Sequence, residues 1–567
     1  MLSSSRTSLW FQRRLPWLWA AAAAMPILFV ATTAVSGSRN IVYYDEFETA
    51  LELLLRINAG LDWRELLQRL FALSNEHRTV ASRLIFAVSY WLTGGINFHV
   101  ISAIGNLFLV GAAAILVATA ATTERRVRLG VLLAFGLFQL ENFEGFIWAG
   151  ASIDHFQVLT FAVAAVAALA RGTRPAWVLG AACGVWATFT LAHGAVVWPV
   201  GALMLWQQRR WAWLGAWGGV TIVALAIFFY GFAFNPGHHL STVSFGHAAR
   251  ILIYWLTLLG GPLTLGAAKF APWLGLVLLG GLGYVFRRGA AKRETIPFFT
   301  ALYALGALAL VAFGRSELAG PQITSRYLVI GDLAWALLLY MLIEAHTDPL
   351  RPYRELLWLL PALVAFNLAA DVKFLPTIQD FNEMRDRAAT SFMQYGEDGR
   401  GLLNLRLHPS PGHAERLLTP AAERGIYALP RVSRAREFPA AEPSTRMVAA
   451  LDELVVNDRA VTLGGWAMLP GERARRGEVF VVLDGKNSRY IFSTLTLPRS
   501  DIAKYYNEPR WKLGGFRAVL FRDQLPAEDF TVGVMIVHRG VAEVMMTASR
   551  VLLAPGQAPA VPLATKP

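Results

Sequence analysis

The residues able to do chemistry in this chain lie in short polar strings wedged between long apolar runs. The first string, Tyr43-Tyr44-Asp45-Glu46-Phe47-Glu48, sets three carboxylates within four residues. Such crowding is repulsive unless a cation, a donor group or a substrate hydroxyl shares the site. A carboxylate held there suits a general base acting on a hydroxyl nucleophile, and a solvated acidic loop start is the plain alternative. The second string, Ser74-Asn75-Glu76-His77-Arg78 with Arg83 behind it, joins a carboxylate, an imidazole and a guanidinium fit for two-pronged phosphate binding. A helix start with a snorkelling arginine is its plain alternative. In the third, Glu141-Asn142-Phe143-Glu144-Gly145 runs on to Trp148 and Asp154-His155. Aromatic rings stack on the apolar faces of sugars while carboxylates bind hydroxyls, and the same mixture suits a membrane aromatic belt. The fourth spans Gly314-Arg315-Ser316-Glu317 and Thr324-Ser325-Arg326-Tyr327.

Other polar strings read as structure. Asp62 and Glu65 carry the spacing of a helix-capping pair. His193-Gly194 reads as a tight turn, and His238-His239 lacks a third ligand nearby.

Long apolar elements must position these strings. Of 567 residues, 55% are hydrophobic and 16% charged, with a mean hydropathy of +0.43. Soluble domains carry roughly 25% charged residues, so a soluble multidomain enzyme is excluded and a polytopic α-helical membrane protein is expected. The net charge of +13 does not imply nucleic acid, because the basic residues fall in short stretches between apolar segments. Six such stretches are 12–14, 124–128, 171–174, 207–210, 287–293 and 349–354. The positive-inside rule puts all six in the cytoplasm. The resulting parity gives about eleven spans, each of about 20 residues. The N-terminus is then cytoplasmic and everything after the last crossing, Leu356–Ala370, periplasmic. Leu84–Trp91 and Ile251–Leu265 become interfacial or re-entrant pieces.

The expected organisation is a transmembrane domain over 1–375 with a long first periplasmic loop, 36–96. A connector over 376–445, a β-sandwich over 446–555 and a disordered tail over 556–567 follow. Cytoplasmic loops are too short for a nucleotide-binding domain, and no GxxxxGK[ST] cradle appears. Chemistry therefore belongs to the outer face, where an activated donor must be carried in the lipid. Arg315 and Arg326 break the positive-inside pattern there. A lipid phosphate or pyrophosphate answers them, or else an ion pair with Glu317 or Asp45. Single Cys183 excludes an intrachain disulfide.

In the tail, Leu454-Val455-Val456, Asn457-Asp458 and Val461–Trp466 spell a hairpin, and Asp484-Gly485 a type I′ turn after Val479–Leu483. Phe530–Val537 alternates as a half-buried strand. The segment resembles small β domains found beside bacterial polysaccharide glycosyltransferases, with their GW, RxD and GF strings at Gly465-Trp466, Arg499-Ser500-Asp501 and Gly515-Phe516.

Residues 1–375 resemble GT-C type glycosyltransferases, through an inside N-terminus, an acidic pair opening a long first outer loop, many spans and an outer C-terminal domain. The resemblance implies transfer of a sugar from a polyprenyl-phosphate or polyprenyl-pyrophosphate carrier to a glycan, lipid or protein acceptor at the bacterial inner membrane. It implies that Asp45, or its neighbour Glu46, is the catalytic carboxylate. Glu48, Glu76, His77, Arg78, Glu144, Asp154, His155, Arg315, Arg326 and Tyr327 are the expected substrate-binding residues. The acidic run departs from a plain DxD, so a divalent cation stays open and no other cofactor is implied. A polysaccharide polymerase or ligase would use the same arginines without a carboxylate base. A transporter or non-catalytic assembly protein is the third class, and spans nearly free of charge argue against transport.

Overall fold

A computed structural model describes residues 3–232, 245–316, 323–347, 353–395 and, with short gaps, 407–553. The tail over 556–567, the His238-His239 turn and Glu317 lie outside the described residues. Two compact units divide the chain: Met1–Arg39 with Glu48–Ile378, and Asn40–Phe47 with Gln379–Pro567.

The larger unit is helical. Among the described residues, eight helices are long and apolar enough to cross a membrane: Leu15–Gly37, Phe98–Thr119, Ala149–Arg171, Trp211–Phe229, Ala268–Arg287, Thr295–Arg315, Ser325–His346 and Arg354–Asp386. A ninth is formed if Thr123–Leu137 and Leu140–Ile147, bent by 50° at their junction, make one span. The sequence expectation was about eleven. The difference falls on Arg174–Thr188 and Val197–Gln207, helices of 15 and 11 residues that are short for a crossing. Leu84–Trp91 lies within a 14-residue apolar helix, Val80–Thr93. The polar stretch from Ile378 does not form a separate connector helix; it continues Arg354–Tyr395 unbroken. Asp62 caps Trp63–Leu70 as its spacing predicts, accepting the N–H groups of Arg64 and Glu65, both at 2.8 Å.

The sequence reading places 139–155 in a loop of the outer face, but residues 139–156 are not an exposed loop. They form short helical pieces at 140–142, 143–147, 149–151 and 152–156, buried for most of their length. Close packing explains the fit: a Cβ on Gly105 of Phe98–Thr119 would lie 2.4 Å from the Ser152 Cβ. Ser152 in turn donates to the Gly145 carbonyl at 2.6 Å. Peptide groups taken from solvent must find partners inside the protein, and this segment does so by staying helical.

Among the described residues the smaller unit carries nine strands, β1 Glu442–Pro443, β2 Val448–Val456, β3 Ala460–Met468, β4 Val479–Asp484, β5 Arg489–Ser493, β6 Leu495–Leu497, β7 Gly515–Phe521, β8 Asp529–His538 and β9 Val541–Leu552. They form two sheets, ordered β1-β9-β8-β4-β5 and β2-β3-β7-β6. The β2–β3 hairpin appears where the sequence puts it. The β4–β5 connection is longer than a two-residue turn, because β5 starts only at Arg489. Strand β8 is buried along most of its length rather than on alternate residues, since it lies inside its sheet.

The three resemblance strings build this fold. Gly465 pairs with Phe516 and Trp466 with Gly515 across β3 and β7. A Cβ on Gly465 would lie 2.1 Å from the Ala450 carbonyl oxygen, and one on Gly515 2.6 Å from that of Leu497. Trp466 packs with Met468, Ala503 and Trp511. Arg499 grips Asp501 through Nε–Oδ1 at 2.9 Å and Nη2–Oδ2 at 2.7 Å, and also reaches Asp452.

Candidate functional site

Several elements of the larger unit meet at the start of Ser325–His346. Ser325 Oγ donates to the Glu141 carbonyl at 2.6 Å and accepts the Glu144 N–H at 3.3 Å. Glu144 Oε2 accepts from the Arg326 main-chain N–H at 3.3 Å and from its Nη1 at 3.2 Å. A carboxylate at the first turn of a helix opposes the positive end of the helix dipole. The Arg326 guanidinium also lies 5.3 Å from the Trp148 ring and 5.2 Å from the Tyr327 ring. Arg326 thus pairs with Glu144, whereas the sequence reading offered Glu317 or Asp45 as its ion-pair partner.

Histidines line the same region. The His155 ring meets Tyr327 edge-on at 5.1 Å and stacks over His193 at 6.1 Å. His155 Nδ1 and His193 Nε2 are buried without a hydrogen-bond partner. His77 Nδ1 accepts the Ala192 N–H at 3.3 Å, which ties the second polar string to the His193 turn. Burial, then the charges of Arg315 and Arg326, pushes His77 down to about 4. Burial, with a smaller contribution from His77, pushes His193 down to about 3. Both rings are neutral near pH 7, able to accept or donate one hydrogen bond at each free nitrogen.

Arg315 ends the helix Thr295–Arg315 and makes no hydrogen bond or ion pair with another described residue. Its charge is felt at His77 and His155. A guanidinium without an ion pair among the described residues, whose charge reaches the same His77 as that of Arg326, is a setting for an anion.

The remaining expected residues divide by role. Arg78 is consumed by main-chain carbonyls: Nε donates to Phe228 at 2.7 Å, and its two terminal nitrogens reach Phe71 and Tyr230. Arg83 does the same for Leu70 and Ala72. These two arginines hold the loop rather than offer themselves to a ligand. Glu76 sits in a turn closed by reciprocal Ser74–His77 bonds, with Asn75 at φ 52°. Asp154 accepts from Ser82 Oγ. Glu48 lies in the π-helical turn Phe47–Glu52.

Asp45 and Glu46 belong to the smaller unit. Tyr427 fixes their segment, donating to the Asn40 carbonyl at 2.9 Å and accepting the Val42 N–H at 3.0 Å. The Tyr44 N–H donates to the Leu407 carbonyl at 2.8 Å, and Tyr43 packs edge-on against Phe381 at 5.5 Å. Tyr44 takes φ 49°, a turn conformation that sends the chain into the acidic run. Glu46 is buried, and its Oε2 accepts the Tyr43 N–H at 2.7 Å. Asp45 is exposed. Of the pair, Glu46 braces the turn and Asp45 faces outward.

Sequence reading missed Gln139, Asp332 and Asp371, which join Glu141 and Asn142 of the third string. Asp332, 3% exposed, accepts from Gln139 Nε2 and Asn142 Nδ2, both at 2.7 Å. Asp371 accepts the Leu140 N–H at 3.3 Å. Glu141 lies beside them, 1% exposed. The available signal was Asp332 itself, an acidic residue two turns into an otherwise apolar helix. The spans are therefore not free of buried ionisable groups where the argument against transport needed them to be.

Comparison with known proteins returns no match to this chain, whether among family models, curated proteins or solved structures.

Proposed function

We propose that the chain is a membrane glycosyltransferase of the GT-C type, drawing its sugar from a polyprenyl-phosphate or polyprenyl-pyrophosphate carrier. The observation that carries the reading is Arg315, without an ion pair among the described residues at the end of Thr295–Arg315, together with Arg326 at the start of Ser325–His346. The two guanidiniums bind the carrier phosphate and stabilise the charge that develops on it as the sugar leaves. Asp45 takes the proton from an acceptor hydroxyl. In this reading the arginine-bearing ends of Thr295–Arg315 and Ser325–His346, and the β-sheet unit, lie on the periplasmic side of the bacterial inner membrane.

A deletion strain tests the proposal. Loss of the chain should make a polyprenyl-linked sugar accumulate, with a matching sugar missing from envelope glycans by mass analysis. Wild-type chain should reverse both, and Arg315→Ala should reverse neither. Unchanged lipid-linked pools would set the transfer reading aside.

Transport is the second reading, and Asp332 with the 50° break after Leu137 favours it. Transporters put buried ionisable groups beside broken helices. In that case Asp45→Asn would leave function intact while Asp332→Asn abolishes it.

A further inference from the structure

The turn at the helix break concentrates buried oxygen atoms that nothing donates to. Glu141 leaves both carboxylate oxygens without a hydrogen-bond partner, Gln139 leaves Oε1 and Asn142 leaves Oδ1. These residues are 1%, 2% and 0% exposed. The amide nitrogens of Gln139 and Asn142 are already spent on the two oxygens of Asp332. Turning either amide over would replace that donor by an oxygen facing a carboxylate, so the orientation is fixed by the network.

Charge compounds the problem. The Asp332 carboxylate is close enough to act on Glu141 electrostatically, and Asp371 faces the same turn through the Leu140 N–H. The charge of Lys373 is felt at Glu141, but its ammonium donates to the Leu265 carbonyl and makes no hydrogen bond to the Glu141 carboxylate. The main-chain N–H of Gly266 approaches Glu141 without reaching hydrogen-bond geometry. Four buried acceptors beside two further carboxyl groups are costly in a low-dielectric site, and a bound cation can satisfy several of them at once where a retained proton satisfies one.

We infer that Glu141, Gln139 and Asn142, backed by Asp332, form a binding site for a hard metal cation at the break between Thr123–Leu137 and Leu140–Ile147. The donor set is all oxygen, with no thiolate or imidazole in it, which selects hard cations over transition metals. A bare ion lies closer to its oxygen ligands than a water does. Each orphan oxygen is closed to solvent. A hard cation sits about 2.0–2.6 Å from its oxygens, whereas hydrogen-bonded water needs about 2.7–2.8 Å. The ion would lock the bend by tying the turn at 139–142 to Ser325–His346. The site stands whether or not the chain transfers sugar.

Thermal unfolding of the full chain in lipid nanodiscs tests this. Protein stripped with chelator in choline chloride is titrated separately with Na+, K+, Mg2+ and Ca2+. A saturable rise in Tm with one hard cation is expected, together with binding of about one radiolabelled ion per chain. Na+ and Ca2+ give separate arms, so the charge of the occupant is read directly. Glu141→Gln should weaken the midpoint at least tenfold, and Glu141→Asp should weaken it while preserving the fold. Equal, non-saturating effects of all salts on wild-type protein would overturn the site without recourse to any variant. So would an unchanged midpoint in a folded Glu141→Gln or Glu141→Asp protein.

Discussion

At the residue scale, the division between bracing and presenting groups decides which substitutions matter. Arg326 holds Glu144 through one nitrogen and its own main-chain N–H, with Trp148 and Tyr327 beside its plane. Lysine keeps the charge but loses the planar fork. Arg326→Ala should therefore reduce turnover of lipid-linked sugar more than Arg326→Lys, and equal wild-type rates would remove Arg326 from the site. Asp45 is exposed while Glu46 is committed to the Tyr43 N–H. Asp45→Asn should cut turnover at least about 10²-fold with expression intact, the usual range for losing a positioned base. Glu46→Gln should instead lower the yield of folded protein. His193 gives a pH prediction. Its imidazole titrates at about 3 in the fold against an ordinary 6.5. Between those values the unfolded chain binds the extra proton, so stability rises with pH there. The contribution is complete above about 6.5 and is lost as pH falls toward 3. Unfolding followed between pH 7 and 4 should show a steeper acid loss in wild type than in His193→Gln.

At the element scale, opposite ends of the same helices are held by different chemistry. The end carrying Ser325 depends on Glu144 and on the Glu141 carbonyl. At the other end, Arg128 Nε meets Glu344 Oε1 at 2.6 Å, and Arg125 bridges Glu344 Oε2 at 2.9 Å and Glu294 Oε1 at 2.8 Å. These arginines carry the topology signal, yet they also clamp Thr123–Leu137 to Ser325–His346. Arg128 and Glu344 side chains are each 5% exposed. Removing one partner of such a pair strands the other charge, at a cost of about 3–5 kcal/mol. Glu344→Ala should lower the unfolding temperature sharply, and an unchanged Tm would show that the clamp carries no weight. The site residues would be displaced only indirectly, through the tilt of Ser325–His346.

At the scale of the whole molecule, the segment bearing Asp45 folds with the tail. Tyr427 and the Leu407 carbonyl hold it, and both precede the first strand of the sheets. A chain ending near Ala440 keeps those contacts and loses only the nine strands. It should reach the membrane and retain sugar transfer at a reduced rate or with altered product length. A chain ending at Ile378 loses Leu407 and Tyr427 and should be inactive at normal membrane levels. Equal activity of the two truncations would detach the acidic run from the tail.

Apolar run length and turn dipeptides determined from the sequence alone that long apolar helices precede a β domain. Helices such as Ala271–Arg287 and Thr295–Arg315 fall where apolar runs begin and end, because a buried backbone must satisfy its own hydrogen bonds. The β2–β3 hairpin and the Asp62 cap were equally local, and so equally legible. Partner choice was not local. Arg78 looked like a ligand-binding group until three carbonyls up to 152 residues away claimed it. Glu144 pairs with Arg326 across 182 residues, and Asp332 binds Gln139 across 193. Nothing in a local pattern separates a guanidinium spent on carbonyls from one like Arg315, which has no ion pair among the described residues. That distinction depends on which helix ends the tertiary packing brings together. The same packing turned residues 139–156 from an expected loop into a buried, bent segment, since only the surrounding helices could supply its partners.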